Sequence, residues 1–139
     1  IDGTLVDSAA GVIACAQGAF RALGLMPPAA SAVRESIGLS LDVMFARLDP
    51  VAYARHRDAL VSTYKAAYRA MREDQGSVRS SPLFPGARVA LEALNADPWT
   101  LLAIATGKSR RGVDALLADH DLGHLFVNIQ TADTHPSKP

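Results

Sequence analysis

The chain has 139 residues, within the usual size of one folded domain, and its 49% hydrophobic and 20% charged content excludes a disordered or fibrous class. Its 14 Lys and Arg cancel its 14 Asp and Glu, and no basic block supplies the concentrated positive field that a nucleic-acid or anionic-membrane surface needs, so small ligands are the expected partners. The single cysteine, Cys15, excludes an intrachain disulfide, reads as a small apolar helix residue and suits the reducing cytoplasm. No apolar run approaches the roughly 18 to 20 residues that span a bilayer.

From Ser8 to Leu23 the residues Val12, Ile13, Ala16, Ala19, Phe20 and Leu23 recur at helical spacing, with Asp7 or Ser8 able to cap the start and Gly24 a left-handed stop. Pro27-Pro28 opens a short polar helix carrying Arg34 and Glu35, which Gly38 ends. A second short helix covers about Ser40 to Leu48. Asp49-Pro50 starts a long amphipathic helix to about Glu73, with Leu60, Val61, Tyr64, Ala67, Tyr68 and Met71 on one face and Arg55, Arg57, Asp58, Arg69 and Arg72 mostly on the other. Gly76 to Pro82 reads as a linker.

After Pro82 the pattern changes. Pro85-Gly86 leads a helix through Val89, Leu91 and Leu94 that Pro98 breaks, and Trp99 to Ala105 is an unalternated apolar run, expected to be a strand buried on both faces. Arg110 to Ala118 carries Val113, Leu116 and Leu117 on one stripe, and a short strand, Val127 to Gln130, precedes the polar loop Thr131 to His135. This order predicts the α/β class: a Rossmann-like parallel-sheet core from residues 1–8 and about 82–139, with an α-helical cap inserted at about 9–81.

Ligands of open α/β sheets bind at the carboxyl ends of strands, so the strand-end segments carry the candidate chemistry. In Asp2-Gly3-Thr4, Gly3 permits a tight turn with an exposed N–H and Asp2 presents a carboxylate; alone, such a tripeptide is an ordinary turn. Thr106-Gly107-Lys108-Ser109 joins the apolar strand to a helix, where a hydroxyl and free N–H groups at the positive helix end make a phosphate site. A nucleotide-binding P-loop fails, because the required glycine five positions before Gly107 is Leu102. The plainer alternative is Ser109 capping an ordinary turn. Lys138 follows the second strand; a lone lysine is usually solvated surface. His56, His120, His124 and His135 lack metal-ligand spacing and read as surface residues. Asp7 reads as a helix cap, Lys65, Tyr64 and Tyr68 as solvated or cap-core residues, and Asp133 carries no assigned role.

In combination these segments resemble the haloacid dehalogenase-like hydrolases. Ile1-Asp2-Gly3-Thr4-Leu5-Val6-Asp7-Ser8 resembles the family's first motif, Asp-x-Asp-Gly-Thr-Leu-Val-Asp-Ser, without its leading Asp. Leu83-Phe84-Pro85-Gly86 resembles the segment re-entering the core from a helical cap, Ala105 to Ser109 the second motif and Ser137-Lys138-Pro139 the third. Ile37-Gly38-Leu39-Ser40 is similar to a cap loop of the phosphoglycolate phosphatase subgroup. The resemblance spans nearly the whole chain and reads it as a fragment without the nucleophilic Asp and the acidic fourth motif, expected by itself to be inactive.

The resemblance implies a Mg²⁺-dependent phosphatase of small phosphorylated metabolites, phosphoglycolate first, working through an aspartyl-phosphate. Asp2 would be general acid and then general base, with its backbone carbonyl toward Mg²⁺. Gly3, Thr106, Gly107 and Lys138 would hold the phosphoryl group, Lys138 also neutralising the nucleophile, and the cap residues Arg34, Gly38 and Ser40 would be able to reach a substrate. Asp2 separates phosphate chemistry from dehalogenation, since an alkoxide leaving group needs a proton and a halide does not. A sugar phosphomutase of the same family and a non-catalytic phosphate-binding module are the alternatives. Oligomeric state leaves no mark in the sequence.

Overall fold

The structure, a computed structural model, describes residues 1–134. Lys138 and His135 lie outside the described residues. The elements in chain order are helices α1 (Ala9–Ala22), α2 (Ala30–Glu35), α3 (Leu41–Leu48), α4 (Pro50–Ser80) and α5 (Ala87–Asn95), strand β1 (Ala103–Ala105), helix α6 (Arg110–Asp119) and strand β2 (Asn128–Gln130), with a single 3-10 turn at Gly123–Leu125 before β2. No helix among the described residues is long and apolar enough to cross a membrane.

The helical stripes assemble two apolar clusters. In the first, Val12, Cys15, Ala16, Ala19 and Phe20 of α1 pack against Val33, Met44, Phe45, Ala52, Leu60 and Tyr64 from α2, α3 and α4. Burial pushes the Cys15 thiol up from its ordinary pKa, as befits an inert apolar residue. An aromatic series runs through this cluster: Phe20 and Phe45 at 6.0 Å between ring centroids, Phe45 edge-on to Tyr64 at 5.9 Å, and Tyr64 stacked on Tyr68 at 5.9 Å. In the second cluster Val6, Leu91 and Ile104 meet Val113, Leu116 and Leu117 of α6 with Leu122 and Leu125.

β1 and β2 pair in parallel with Ala103 opposite Asn128, Ile104 opposite Ile129 and Ala105 opposite Gln130, and α6 makes the crossover between them. The first eight residues, where the sequence places the end of a first strand at Asp2, join no sheet among the described residues. Their backbone makes isolated bridges, Val6 to Asp2 and to Leu83, and the Asp7 N–H donates to Pro82 at 2.8 Å while the Phe84 N–H donates to Leu5 at 2.9 Å. The two chain segments flanking the 9–81 stretch are thereby tied side by side.

Three sequence expectations change. Trp99 to Ala105 is not a strand buried on both faces: only Ala103–Ala105 is strand, Ile104 is 5% exposed, and Trp99 and Leu101 are 92% and 76% exposed. Burial alternates along the run instead, with Ile104 buried and Leu102 partly buried against the second cluster while Leu101, Ala103 and Ala105 are exposed. Gly76 to Pro82 is not an extended linker, because α4 resumes after a single non-helical residue, Gly76 (φ 71°, ψ 157°), and runs on to Ser80. His120 is not a surface residue. Its ring Nε2 lies 2.9 Å from the Ser81 carbonyl oxygen, and Arg88 donates to its own carbonyl, so it ties α6 to the end of α4 inside the protein.

Candidate active site

The turn at the start of the chain closes on one carbonyl. Ile1 O accepts the N–H groups of Thr4 at 3.1 Å, Leu5 at 2.8 Å and Val6 at 3.3 Å, which leaves the next side chain, Asp2, directed elsewhere. The Asp2 carboxylate accepts the Ser8 hydroxyl at 2.6 Å on Oδ1 and the Lys108 ammonium at 3.2 Å on each oxygen. Both members of this ion pair are nearly enclosed, with side-chain exposures of 12% for Asp2 and 13% for Lys108. Burial pushes the Asp2 carboxyl up, but the Lys108 charge and the hydrogen bonds from Ser8 and Lys108 outweigh it and hold the group below the ordinary aspartate range. Burial likewise pulls Lys108 down, and Asp2 and then Tyr68 reverse the sign and raise it. The pair is ionised at neutral pH.

Lys108 reaches this position from the loop between β1 and α6. The Thr106 N–H donates to the Gln130 carbonyl at 3.0 Å, extending the β1–β2 pairing by one bond, and its buried side-chain Oγ1 accepts the Lys108 N–H at 3.2 Å. The Gly107 N–H makes no hydrogen bond among the described residues. Ser109 caps α6 by accepting the Gly112 N–H at 3.3 Å, so the plain capping role is present together with the free amide beside it. The Asp133 carboxylate accepts the Arg110 N–H, a second cap on the same helix end.

A cleft of about 740 Å³ opens over these groups, with Asp2, Gly107, Lys108 and Arg111 on one side and the 36–44 segment and α4 on the other. Of the residues expected at a substrate, Gly38 and Ser40 line the cleft. Arg34 does not: it is an exposed residue of α2 and is not among those that line the cleft. Gly3 is also displaced from its expected role. Its N–H is not exposed but donates to the Val6 carbonyl at 3.0 Å, because the turn folds back on itself. Asp7 accepts the Ala9 N–H at 3.3 Å, a local contact at the start of α1.

Sequence reasoning gave Lys108 no role, read Ser8 as a possible helix cap and Tyr68 as a solvated or cap-core residue, and put Arg57, Arg69 and Arg72 mostly on the face opposite the apolar one. All three arginines line the cleft, with Lys65 among them, beside Tyr64 and Tyr68. Their separations of three to four residues were the available signal, since positions 57, 61, 65, 69 and 72 follow one stripe of a helix. Asp42 pairs with Arg57 at 2.8 Å and Asp2 with Lys108, whereas Lys65, Arg69, Arg72 and Arg111 have no ion pair among the described residues. The cleft border is thus net positive.

Among the described residues there is no group of three His, Cys, Asp or Glu side chains that could hold a metal. For the expected Mg²⁺ these residues supply one candidate ligand, the Asp2 carbonyl oxygen, which accepts no hydrogen bond among the described residues. One carbonyl by itself is not a metal site.

The whole chain, residues 1–139, matches the family model described as haloacid dehalogenase-like hydrolase. A phosphoglycolate phosphatase of Vibrio cholerae is 28% identical over 149 residues, covering 99% of this chain and 62% of the relative. Another, of Photobacterium profundum, is 30% identical over 146 residues, covering 99% of this chain and 61% of the relative. Among solved structures, a haloacid dehalogenase-like family hydrolase of Streptococcus pneumoniae superposes with a TM-score of 0.74 at 28% identity, over 94% of this chain and 58% of that one. The chain spans about three fifths of the length of the curated relatives it matches. With its whole length matched and its fold shared, the chain belongs to the haloacid dehalogenase-like hydrolase family.

Proposed function

We propose that the protein containing this chain is a phosphatase of small organic phosphate esters, with a phosphoglycolate-like substrate, built from a core of residues 1–8 and 82 onward and a cap of residues 9–81. The observation that carries this reading is the enclosed Asp2 carboxylate at a cleft that is also lined by Gly107, whose amide is free among the described residues, in a chain whose relatives are named phosphoglycolate phosphatases. An ionised Asp2 is ready to accept a proton from water. When a phosphate dianion enters beside it, like-charge repulsion raises its proton affinity, so that it can carry the proton a leaving alkoxide requires. Thr106 Oγ1 and the Gly107 N–H would hold phosphoryl oxygens, and the unpaired cations of α4 would attract the anion. Lys138, outside the described residues, keeps its proposed part in neutralising the transferring group, and Mg²⁺ is the proposed cofactor, to be checked by loss of activity in EDTA and its return on adding Mg²⁺.

The test is release of inorganic phosphate by the full-length protein from 2-phosphoglycolate, run beside glucose 1-phosphate with a sugar bisphosphate. Phosphate release from phosphoglycolate is expected; net sugar-phosphate isomerisation instead would establish the phosphomutase. Asp2→Asn should lower turnover by about 100-fold or more, the usual size of a proton-transfer contribution, while thermal unfolding still shows a cooperative fold. Turnover close to wild type in Asp2→Asn would remove Asp2 from the mechanism.

A further inference from the structure

The loop that offers the Gly107 amide also touches the opposite wall of the cleft. A Cβ built on Gly107 would lie 2.5 Å from the Gly38 carbonyl oxygen, 2.7 Å from the Leu39 carbonyl carbon and 2.8 Å from the Leu39 oxygen, all backbone atoms of the 36–40 segment. Gly107 does not sit in the left-handed region, so its own backbone would accept a side chain. The obstacle is the facing loop. One residue on, the Lys108 ammonium lies 3.3 Å from the Tyr68 hydroxyl and 4.8 Å from the centre of its ring while holding Asp2 at 3.2 Å. Tyr68 is fixed in turn by stacking on Tyr64 and by a 3.2 Å hydrogen bond with the Ser81 hydroxyl.

We propose that Gly107 and Lys108 form a latch that seats the 36–40 loop and helix α4 over the cleft: Gly107 by leaving room for the loop, Lys108 by bridging Asp2 to the face and hydroxyl of Tyr68. Lys108 is a positioning residue in this role. A desolvated cation against an aromatic face contributes more than an exposed one, and this cation also has a carboxylate on its other side, so letting go of Tyr68 opens the cleft without leaving the ammonium unpaired. The latch gives the proposed phosphatase a means of controlling access to Asp2, and to that extent it rests on the proposed function.

Hydrogen exchange of the full-length protein, followed at residues 36–41 and 64–69, tests the latch without reference to any substrate. Gly107→Ala, Lys108→Met and Tyr68→Ala should each speed exchange in these segments by about tenfold, leaving the α6 amides unchanged. The Lys108→Met/Tyr68→Ala double variant should be no faster than either single variant, because both remove the same contact. Tyr68→Phe, which keeps the ring, should retain most of the protection, an outcome that general destabilisation does not produce. Unchanged exchange in the single variants, or additive effects in the double, would overturn the latch. Failure to hydrolyse any phosphate ester would end the phosphatase reading, while the exchange pattern would still decide the latch; wild-type exchange in variants of an active phosphatase would end the latch alone.

Discussion

Asp42 sits in the first turn of α3 and accepts two hydrogen bonds from α4, the Tyr53 hydroxyl at 2.6 Å and Arg57 Nε at 2.8 Å. The bond from Tyr53 is the larger cause of its lowered pKa and the bond from Arg57 the next, with the helix N-terminus on the favourable side for a negative charge. A carboxyl whose folded pKa is depressed adds stability above its unfolded value, about 3.9, and loses that contribution as pH falls through the lower folded value. Asp42→Asn should therefore flatten the stability profile below about pH 4. Because the side chain is about half exposed (48%), water and salt screen the pair, and the loss at pH 7 should be small and vanish in 1 M NaCl. Thermal unfolding at pH 7 and pH 3, with and without salt, checks this; an acid profile as steep as wild type would locate the sensitivity in another carboxylate.

Within α4 the break at Gly76 has a different character from an ordinary kink. Its φ of 71° and ψ of 157° are reached by glycine and by almost no other residue, and an added Cβ would meet no atom within 4 Å. Any cost of Gly76→Ala is thus backbone strain and not collision, of order 1–3 kcal/mol, read as a lowered denaturation midpoint. A neutral substitution would show that α4 can run through position 76 without the break. That break also explains why the end of α4 was hard to read: Gly76 does interrupt the helix, but Ser77 to Ser80 resume it and bring Ser81 to Tyr68 and His120. Elements with caps and regular stripes were legible, as with Asp49, which accepts the N–H groups of Val51 and Ala52 at the start of α4. The cleft stripe of α4 was not, since sorting residues as apolar or polar separates Tyr68 from Arg69 and Arg72, although long arginine side chains can lie along an apolar wall and present their charge at its edge. The Asp2–Lys108 pair was beyond any local pattern, with its partners 106 positions apart in the chain. The motif reading singled out Asp2 and Thr106, but it passed over the lysine two residues after Thr106 that holds Asp2.

At the scale of the molecule, two apolar clusters lie on either side of a polar cleft. Leu60 is fully buried in the cluster formed by α1 to α4, and Val113 and Leu116 are buried in the cluster around β1 and α6. The links between them include polar contacts: Lys108 to Tyr68, His120 to Ser81 and the backbone bonds joining residues 5–7 to 82–84. Apolar packing transmits a cavity's cost to the side chains that surround it, whereas a few hydrogen bonds across a cleft transmit little of it. Leu60→Ala in the full-length protein should cost about 2–5 kcal/mol in its own cluster. Hydrogen exchange should then quicken at the α1 and α3 amides while those of Val113 to Leu117 keep their wild-type rates, as expected for units that open separately. Equal acceleration at both sets would mean that the clusters unfold as one cooperative body, and that the cleft is a groove in a single core and not the boundary between a core and its cap.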